Sequence, residues 1–503
     1  MAAAIVSIPT RKALMTAERS ELVEYYRHCR EMGNEWLRRQ IIKNNRIDIL
    51  GGVVLGLDVR PFHVNLMKFQ FTHPDNLQLC FRGAGKSTTC TITKVIHLLL
   101  KDPNLRILIA SKTAQNAEGF MKEVKNHFES NQMLGELFGE YYDPRKVTKW
   151  DSREIEVLPR TKPNKEASVT CVGVDTTIVS KHYDVIIADD LVDEENSRTK
   201  AQRDKTKTWY YQTLDPTLEP PSAEVPHRGE YHRLGTRYHY DDLYGHLEAN
   251  ELKGHTNVIP ALKRVSVPVA EGCTTTEEVE LSPWPEKYPV EWFTEKRKKA
   301  GIIIFNAQYQ CDTEAMKGEI FQYDDCQIIP DSDYPPPNGL RVFMGVDLAI
   351  SEDQANDKFA IVVIGITPSG SGYYVLDWYE NQLRFTKQTA KIVEFANRWD
   401  PIRIGIETNA YQEAQYQTLK EGHPNLRLKS LKTDKDKVTR AWKLSPIFEE
   451  KKVFFKPEQS LLIEHMVLFP NHRYDDLFDA FELAIRASKK ASRRRREHEP
   501  GVI

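Results

Sequence analysis

Cysteine is scarce in this sequence and nowhere paired. The seven residues, Cys29, Cys80, Cys90, Cys171, Cys273, Cys311 and Cys326, are scattered, odd in number and never spaced C-x-x-C. That argues against a disulfide framework and a structural zinc site, and for a reducing compartment. An excess of either charge is missing too: 70 Lys and Arg stand against 72 Asp and Glu, a formal net charge of −2. Bulk electrostatics therefore call for no polyanionic partner, and any nucleic-acid surface has to be local. Residues 49–57 are too short an apolar run to cross a bilayer, and the N-terminus has no apolar signal region. No membrane or secretory destination is expected, and no internal repeat is evident. What is present is a 503-residue chain of 40% hydrophobic and 28% charged residues, the profile of a soluble protein. That length leaves room for roughly two to four domains with sizeable cores.

The most informative stretch lies around residue 85. Leu77, Leu79 and Phe81 alternate with polar or small residues, a strand rhythm, and Ile92, Val95, Ile96 and Leu99 follow at helical spacing. Between them stands Arg82-Gly83-Ala84-Gly85-Lys86-Ser87-Thr88. Strand, glycine loop and helix form a phosphate-binding context: backbone N–H groups and a helix N-terminus face an anion. Lys86 is placed to reach the β- and γ-phosphates of a nucleotide, and the Ser87 hydroxyl to hold Mg²⁺. The motif's first glycine position is Cys80, so only its G-K-S end is standard. Upstream, Phe62-His63 suits either an adenine stack or a structural pair.

Residues 105–110 read as a second strand, and Ala117, Phe120, Met121 and Val124 as the helix after it, which implies parallel crossovers and a sheet covered on both faces. Val185-Ile186-Ile187-Ala188 reads as a buried strand delivering Asp189 and Asp190 at its carboxyl end, the edge where ligands bind in open α/β sheets. Asp189 is placed to hold Mg²⁺. Orientation of an attacking water falls to Asp190, Glu194 or Glu195. Tyr231 to Arg237 form a further strand, and Gly235-Thr236 at its end is a phosphate sensor or a plain turn. Asp241-Asp242-Leu243 opens a helix with capping carboxylates. Residues 1–50 form a polar helical arm. Residues 266–338 are punctuated by proline, with one helical patch at residues 305–310, and Pro335-Pro336-Pro337-Asn338-Gly339 marks a boundary.

A second chemical centre follows. A strand ends at Asp347, residues 359–366 and 373–376 make a hairpin across Gly370-Ser371-Gly372, and a helix over 389–399 leads to a strand ending at Glu407. Near the end, Asp475, Asp476 and Asp479 lie where a last helix begins. Acids on a first strand, a later strand and the final helix are arranged as in a ribonuclease-H-type nuclease. Phosphodiester hydrolysis by two divalent ions about 3.5–4 Å apart needs such convergent hard oxygen ligands. Asp347, Glu407 and Asp479 are the expected ligands, with Asp476 or Asp475 as an adjunct, and Mg²⁺ or Mn²⁺ as the ions. Lys429, Lys432, Lys435, Lys437 and Arg440 suggest a phosphate-tracking strip. The tail, with Arg493 to Arg496, is expected to be disordered.

Over residues 60–487 the chain resembles the large terminase subunit of tailed bacteriophages. The resemblance rests on Arg82-Gly83-Ala84-Gly85-Lys86-Ser87, the Asp189-Asp190 strand end, Gly235-Thr236-Arg237 with Asp242-Leu243, and Gln308-Tyr309. In the second half it rests on Gly345-Val346-Asp347, Ile406-Glu407, the run from Asp436 to Ala441, and Asp475 to Ala480. It implies an α/β chain in which a P-loop NTPase domain of the ASCE type, with a parallel sheet, precedes an RNase H-like nuclease domain. The corresponding boundaries are 1–50 for the arm, 51–265 for the ATPase, 266–338 for a lid or linker, 339–487 for the nuclease and 488–503 for the basic tail. It further implies ATP with Mg²⁺ as the fuel, viral double-stranded DNA as the substrate, and a small terminase subunit and a portal protein as partners. A homo-oligomeric ring, commonly a pentamer, and the host cytoplasm complete the expectation. Arg82 would stabilise transition-state charge in cis, or an arginine from a neighbouring subunit would, with Arg198, Arg203 and Arg237 as candidates. Two positions differ from the family pattern: Asp190 stands where many members carry a glutamate, and Asp476 where some carry a histidine. Two other readings fit the same residues, a helicase or translocase fused to a resolvase-type nuclease, and a nucleotide-switched DNA-binding scaffold.

Overall fold

In the computed structural model of the protein, the described residues are 18–174, 176–178, 180–268, 276–335, 339–348, 358–408, 412–432, 436–472 and 474–489. Cys273, Lys435, Pro336, Pro337, Asn338 and the arginines of the tail lie outside them. The chain forms two compact units, Met1–Glu314 and Ala315–Ile503.

The first unit is built on seven strands: β1 (Asp75–Cys80), β2 (Ile107–Ser111), β3 (Glu154–Ile155), β4 (Val169–Gly173), β5 (Val185–Asp189), β6 (Glu230–Gly235) and β7 (Thr256–Ile259). Their order is β3-β4-β2-β5-β6-β1-β7, and every pairing except β3 with β4 is parallel. The β-branched and aliphatic run of β5 serves both faces of the sheet. Val185 and Ile187 join one core with Ile107, Ile109 and Ile96, while Ile186 and Ala188 join another with Leu108, Leu77 and Leu79. This is the pattern of a parallel sheet covered on both sides. The expected strand at 105–110 is observed as Ile107–Ser111, shifted toward the ligand edge.

Strand β6 lies between β1 and β5, so the chain leaves three neighbouring strands at the same edge of the sheet. Register aligns Gln78 with Leu234 and Leu234 with Asp189 across them. The helix Arg19–Glu31 contributes Leu22, Tyr25 and Cys29 to the first core. Where a loosely patterned linker was expected, the structure has an antiparallel hairpin of β8 (Lys263–Pro268) and β9 (Thr276–Leu281), and then the helix Val290–Ala300. Phe293 and Phe305 from this region also enter the first core.

The second unit has seven strands as well: β10 (Gln327–Ile328), β11 (Arg341–Asp347), β12 (Phe359–Ile366), β13 (Tyr373–Asn381), β14 (Arg403–Glu407), β15 (Leu428–Leu431) and β16 (Val453–Phe455). Their order is β10-β16-β13-β12-β11-β14-β15. Strands β11, β12 and β13 form an antiparallel meander, and β14 and β15 add to it in parallel. The last helix, Asp476–Ser488, packs on β11, β12 and β14. Its approach is set by two glycines. A Cβ on Gly345 would stand 1.9 Å from the Ala480 carbonyl oxygen, and one on Gly405 would stand 2.7 Å from that of Leu483. Helix backbone therefore rests on strand backbone, and the first helical turn is carried to the end of β11. Together the two sheets are the α/β arrangement expected from the sequence, a P-loop type sheet followed by an RNase H-like one. Among the described residues no helix is long and apolar enough to cross a membrane.

Three buried histidines in the first unit link its stability to pH. Burial lowers His63 to about 4, His97 to about 3 and His232 to about 4, with Lys94 adding to the effect at His97 and His232. Below the ordinary histidine range the unfolded chain takes up protons that the folded chain refuses. Their contribution is therefore complete above about pH 6.5 and is lost as pH falls toward 4. His97→Gln is expected to flatten this acid-side fall in urea stability by up to about 1.4 kcal/mol per pH unit. An unchanged slope would show that His97 is not a contributor.

Candidate active sites

At the ligand edge of the first unit, the chain turns sharply after β1. Gly83 and Gly85 have φ of 89° and 74°, left-handed values that glycine adopts without strain. Cys80 replaces the motif's first glycine without penalty because it is still strand, and its carbonyl accepts the Thr236 hydroxyl at 3.0 Å. The loop rests on buried His63. Its Nδ1 accepts the Arg60 N–H at 3.0 Å, so the ring proton sits on Nε2, which donates to the Ala84 carbonyl at 2.6 Å. His63 is thus a support beneath the loop, with Phe62 packed beside it, which is the structural alternative of the two considered. From above, the Tyr288 hydroxyl lies 3.4 Å from the Gly83 carbonyl, and Trp284 packs edge-on against His63.

Lys86 and the acids of β5 meet at this loop. Lys86 Nζ is 3.0 Å from Asp190 Oδ2. Burial opposes the lysine charge, yet Asp190 and Asp189 hold its pKa above the ordinary value. Asp189 is fully buried, and burial together with the neighbouring Asp190 pushes its carboxyl up to about 6. Its Oδ2 accepts the Thr91 hydroxyl at 2.5 Å, and the nearby Ser87 hydroxyl also works against the rise. Oδ1 of Asp189 is buried with no hydrogen-bond partner among the described residues. An unsatisfied carboxylate oxygen beside a serine hydroxyl is a donor pair suited to Mg²⁺. Thr88 is half-buried next to Ser87. Thr91 escaped the reading of the sequence, although its spacing four residues after Ser87 puts both hydroxyls on one helix face.

The remaining candidates separate by exposure. Glu194 and Glu195 are solvent-exposed and pair with Arg198 and Lys112, whereas Asp190 lies against Lys86. Arg82 is exposed and held to Gln308, whose side-chain oxygen accepts from its guanidinium at 3.1 Å and whose carbonyl accepts its N–H at 3.0 Å. Arg203 and Arg237 are buried against Asp241 and Asp242 inside the unit, which removes them from the surface expected of a trans-acting group. The Thr236 hydroxyl donates to the Cys80 carbonyl and ties the end of β6 to the end of β1. Asp242 caps the helix Leu243–Asn250, accepting the Gly245 N–H at 2.7 Å.

In the second unit, Asp347 and Glu407 end the adjacent parallel strands β11 and β14, one rung beyond Val346 and Ile406. Asp479 lies in the first turn of the helix packed on β11. Burial raises Asp347 well above the usual carboxyl range, with Asp479, Asp476 and Glu407 adding to the shift and Lys437 opposing it. Asp476 is raised to about 6 by burial and Asp475. Burial also raises Asp479 even though two cations hold its carboxylate: Lys437 Nζ lies 2.7 Å from Oδ2 and Arg440 2.7 Å from Oδ1. Lys437 also binds Asp475 at 2.6 Å, and Arg440 binds Glu482 at 3.0 Å. Among the described residues no three His, Cys, Asp or Glu side chains are gathered as a ready-made metal cage. Asp347, Asp476 and Asp479 all have raised proton affinity, and hard oxygen donors of this kind are what Mg²⁺ or Mn²⁺ takes.

The expected basic strip is not continuous. Lys437 and Arg440 point into the acids, and Lys429 caps the last helix by donating to the Arg486 and Lys489 carbonyls. Uncompensated carboxylates and open helix-end carbonyls draw these cations inward, and a charge run in the sequence does not reveal that.

The terminase RNase H-like domain family matches residues 344–497. A curated protein, the large terminase subunit of Enterobacteria phage T3, is 34% identical over 185 residues. That alignment covers 36% of this chain and 29% of the relative's length. Among solved structures, the HK97 bacteriophage large terminase is similar at 11% identity and a TM-score of 0.34, over 86% of this chain and 95% of that one. The large terminase of a thermophilic bacteriophage, solved in complex with ADP, gives 8% and 0.32, over 84% and 98%. The large terminase nuclease from thermophilic phage G20c with bound zinc gives 12% and 0.27, over 33% and 97%. At such scores the structural likenesses are distant, and no residue role is taken from them.

Arg440 is the buried counter-charge of both Asp479 and Glu482. Arg440→Met is expected to destabilise the second unit by about 3 kcal/mol, because two buried carboxylates lose a shared cation while Asp479 keeps Lys437 and Glu482 keeps Arg486. Chemical denaturation followed by the fluorescence of Trp442 and its neighbours measures this, and a loss below about 1 kcal/mol would mean the carboxylates find other partners.

Proposed function

We propose that this chain, whose second unit carries the terminase RNase H-like domain, is the large terminase subunit of a tailed bacteriophage. In this reading it is an ATP-driven motor that packages viral double-stranded DNA and cuts concatemeric DNA by two-metal phosphodiester hydrolysis. The observation that carries the proposal is the convergence of Lys86, Ser87, Asp189 and Asp190 at one sheet edge, in a chain whose other unit brings Asp347, Glu407 and Asp479 to facing element ends.

In the first unit the loop N–H groups and Lys86 bind and orient the phosphates of ATP. Ser87 and Asp189 would hold Mg²⁺, with Thr91 binding one oxygen of the carboxylate and leaving the other without a hydrogen bond. Asp190 orients the attacking water, favoured over Glu194 and Glu195 by its place against Lys86. When nucleotide arrives, Lys86 exchanges this carboxylate for phosphate and frees Asp190 for that role. Arg82 adds positive charge at the loop. In the second unit Asp347, Glu407 and Asp479, with Asp476 beside them, would hold two Mg²⁺ or Mn²⁺, and Lys437 is the cation that pairs with Asp479 at that position. Bound there, the ions lower the pKa of an attacking water and stabilise the leaving oxygen.

Residues 51–265 with a lid over 266–314 are assigned to the motor, and 315–487, which include β10 of the second sheet, to the nuclease. A small terminase subunit, a portal protein and further copies of this chain in a ring, commonly five, are its proposed partners in the host cytoplasm.

The two centres are separable by mutation. Lys86→Ala is expected to reduce phosphate release from ATP by at least about 100-fold while plasmid cutting with Mn²⁺ persists, and Asp347→Ala to do the reverse. Wild-type ATP hydrolysis in Lys86→Ala would remove the phosphate-loop assignment. Simultaneous loss of both activities in either variant would count against two independent centres.

A further inference from the structure

We propose that Tyr244 is a positioning residue for nucleotide hydrolysis: its buried hydroxyl holds Asp190 in the backbone conformation that presents its carboxylate to the phosphate loop. The inference rests on reading residues 82–87 and 189–190 as an ATP site.

Asp190 has a φ of 52° in the left-handed region. Aspartate tolerates this conformation better than most residues, but it persists only where the surroundings over-determine it. Here the surroundings are backbone contacts organised by one side chain. The Asp190 N–H donates to the Leu234 carbonyl at 2.9 Å. The Leu191 N–H donates to the Tyr244 hydroxyl at 2.9 Å, and that hydroxyl in turn donates to Leu234 at 3.0 Å. A third bond, from the Lys112 N–H to the Asp190 carbonyl at 3.1 Å, closes the other side. Tyr244 thus accepts from the turn after β5 and donates to the end of β6, and its hydroxyl has no capacity left for any other role on the donating side.

The chain makes room for this ring. A Cβ on Gly235 would stand 2.1 Å from Tyr244 Cε2, so the glycine that follows Leu234 serves as the seat of the tyrosine. Tyr244 is completely buried, and it is delivered by a helix whose first turn is fixed by the Asp242 cap. Phenylalanine would fill the same space and leave the Leu191 N–H buried with no partner, which frees the turn to relax away from the left-handed geometry. The Asp190 carboxylate, 3.0 Å from Lys86 in the present arrangement, would then lose its fixed bearing on the loop.

The test is Tyr244→Phe in the full chain, read by steady-state ATP hydrolysis and by amide hydrogen exchange. The expected result is a fall in kcat of about tenfold or more with the KM for ATP within about twofold. Exchange in residues 188–194 should accelerate while β1 and β2 keep their protection. A kcat within about twofold of wild type, or unaltered exchange in residues 188–194, would overturn the proposal. So would lost protection across the whole sheet or failure to fold, since either marks the hydroxyl as merely structural. If the wild-type chain hydrolyses no ATP, the ATP reading itself falls, and the exchange arm still decides whether Tyr244 holds the turn.

Discussion

The 3.0 Å contact between Lys86 and Asp190 joins two strands that are not neighbours. Strand β6 runs between β1 and β5, so the pair forms only if all three strands end at the same height and the loop after β1 folds back over the sheet edge. Parallel register supplies the first condition. The second depends on two glycines in left-handed conformation and on a neutral histidine beneath them. A lysine this buried would resist its charge if it stood alone, and the two carboxylates at the end of β5 restore it. The buried acid in turn keeps a threonine hydroxyl for itself. Loop, helix and strand are therefore coupled through charge before any ligand is considered.

The second unit resolves a similar problem with a different balance. Carboxylates from a second strand end and a helix, together with burial, raise the proton affinity of Asp347, and Lys437 and Arg440 hold Asp479 beside it. In both units a buried acid cluster faces a lysine from a nearby turn or helix start. The difference lies in what surrounds the cluster: glycine-loop backbone in the first unit, and helix backbone pressed on strand in the second.

The sequence showed the element types well where periodicity was strong. The strands at β1, β5, β11, β12 and β14 and the last helix lie where alternation and helical spacing put them. Strand β13 runs on to Asn381, beyond the expected end at residue 376, because its outer half is only partly buried and its apolar pattern fades. The helix before β14 begins at Phe385 for the same reason, its first turn being largely polar. Tertiary partners were the illegible part. Only its place four residues after Ser87 sets Thr91, which supports Asp189, apart from the other threonines of residues 88–93, and nothing marks His63 as a prop rather than a stacking partner. The Lys429 to Arg440 run looked like a solvent-facing strip because charge along a chain does not say which way each side chain turns. Gly235 was read as part of a phosphate sensor or a plain turn, and the sequence did not show that it also makes room for a tyrosine nine positions later.

The glycine contacts of the second unit carry one more implication. Since Gly345 and Gly405 let the final helix touch the sheet through main-chain atoms, the spacing between Asp347 and Asp479 is gauged by peptide dimensions. Apolar side chains elsewhere in that core can be exchanged for others of comparable bulk without altering this separation. A lineage carrying the fold is thus free to drift far in sequence while the placement of these carboxylates stays put, with two small residues acting as the fixed standard.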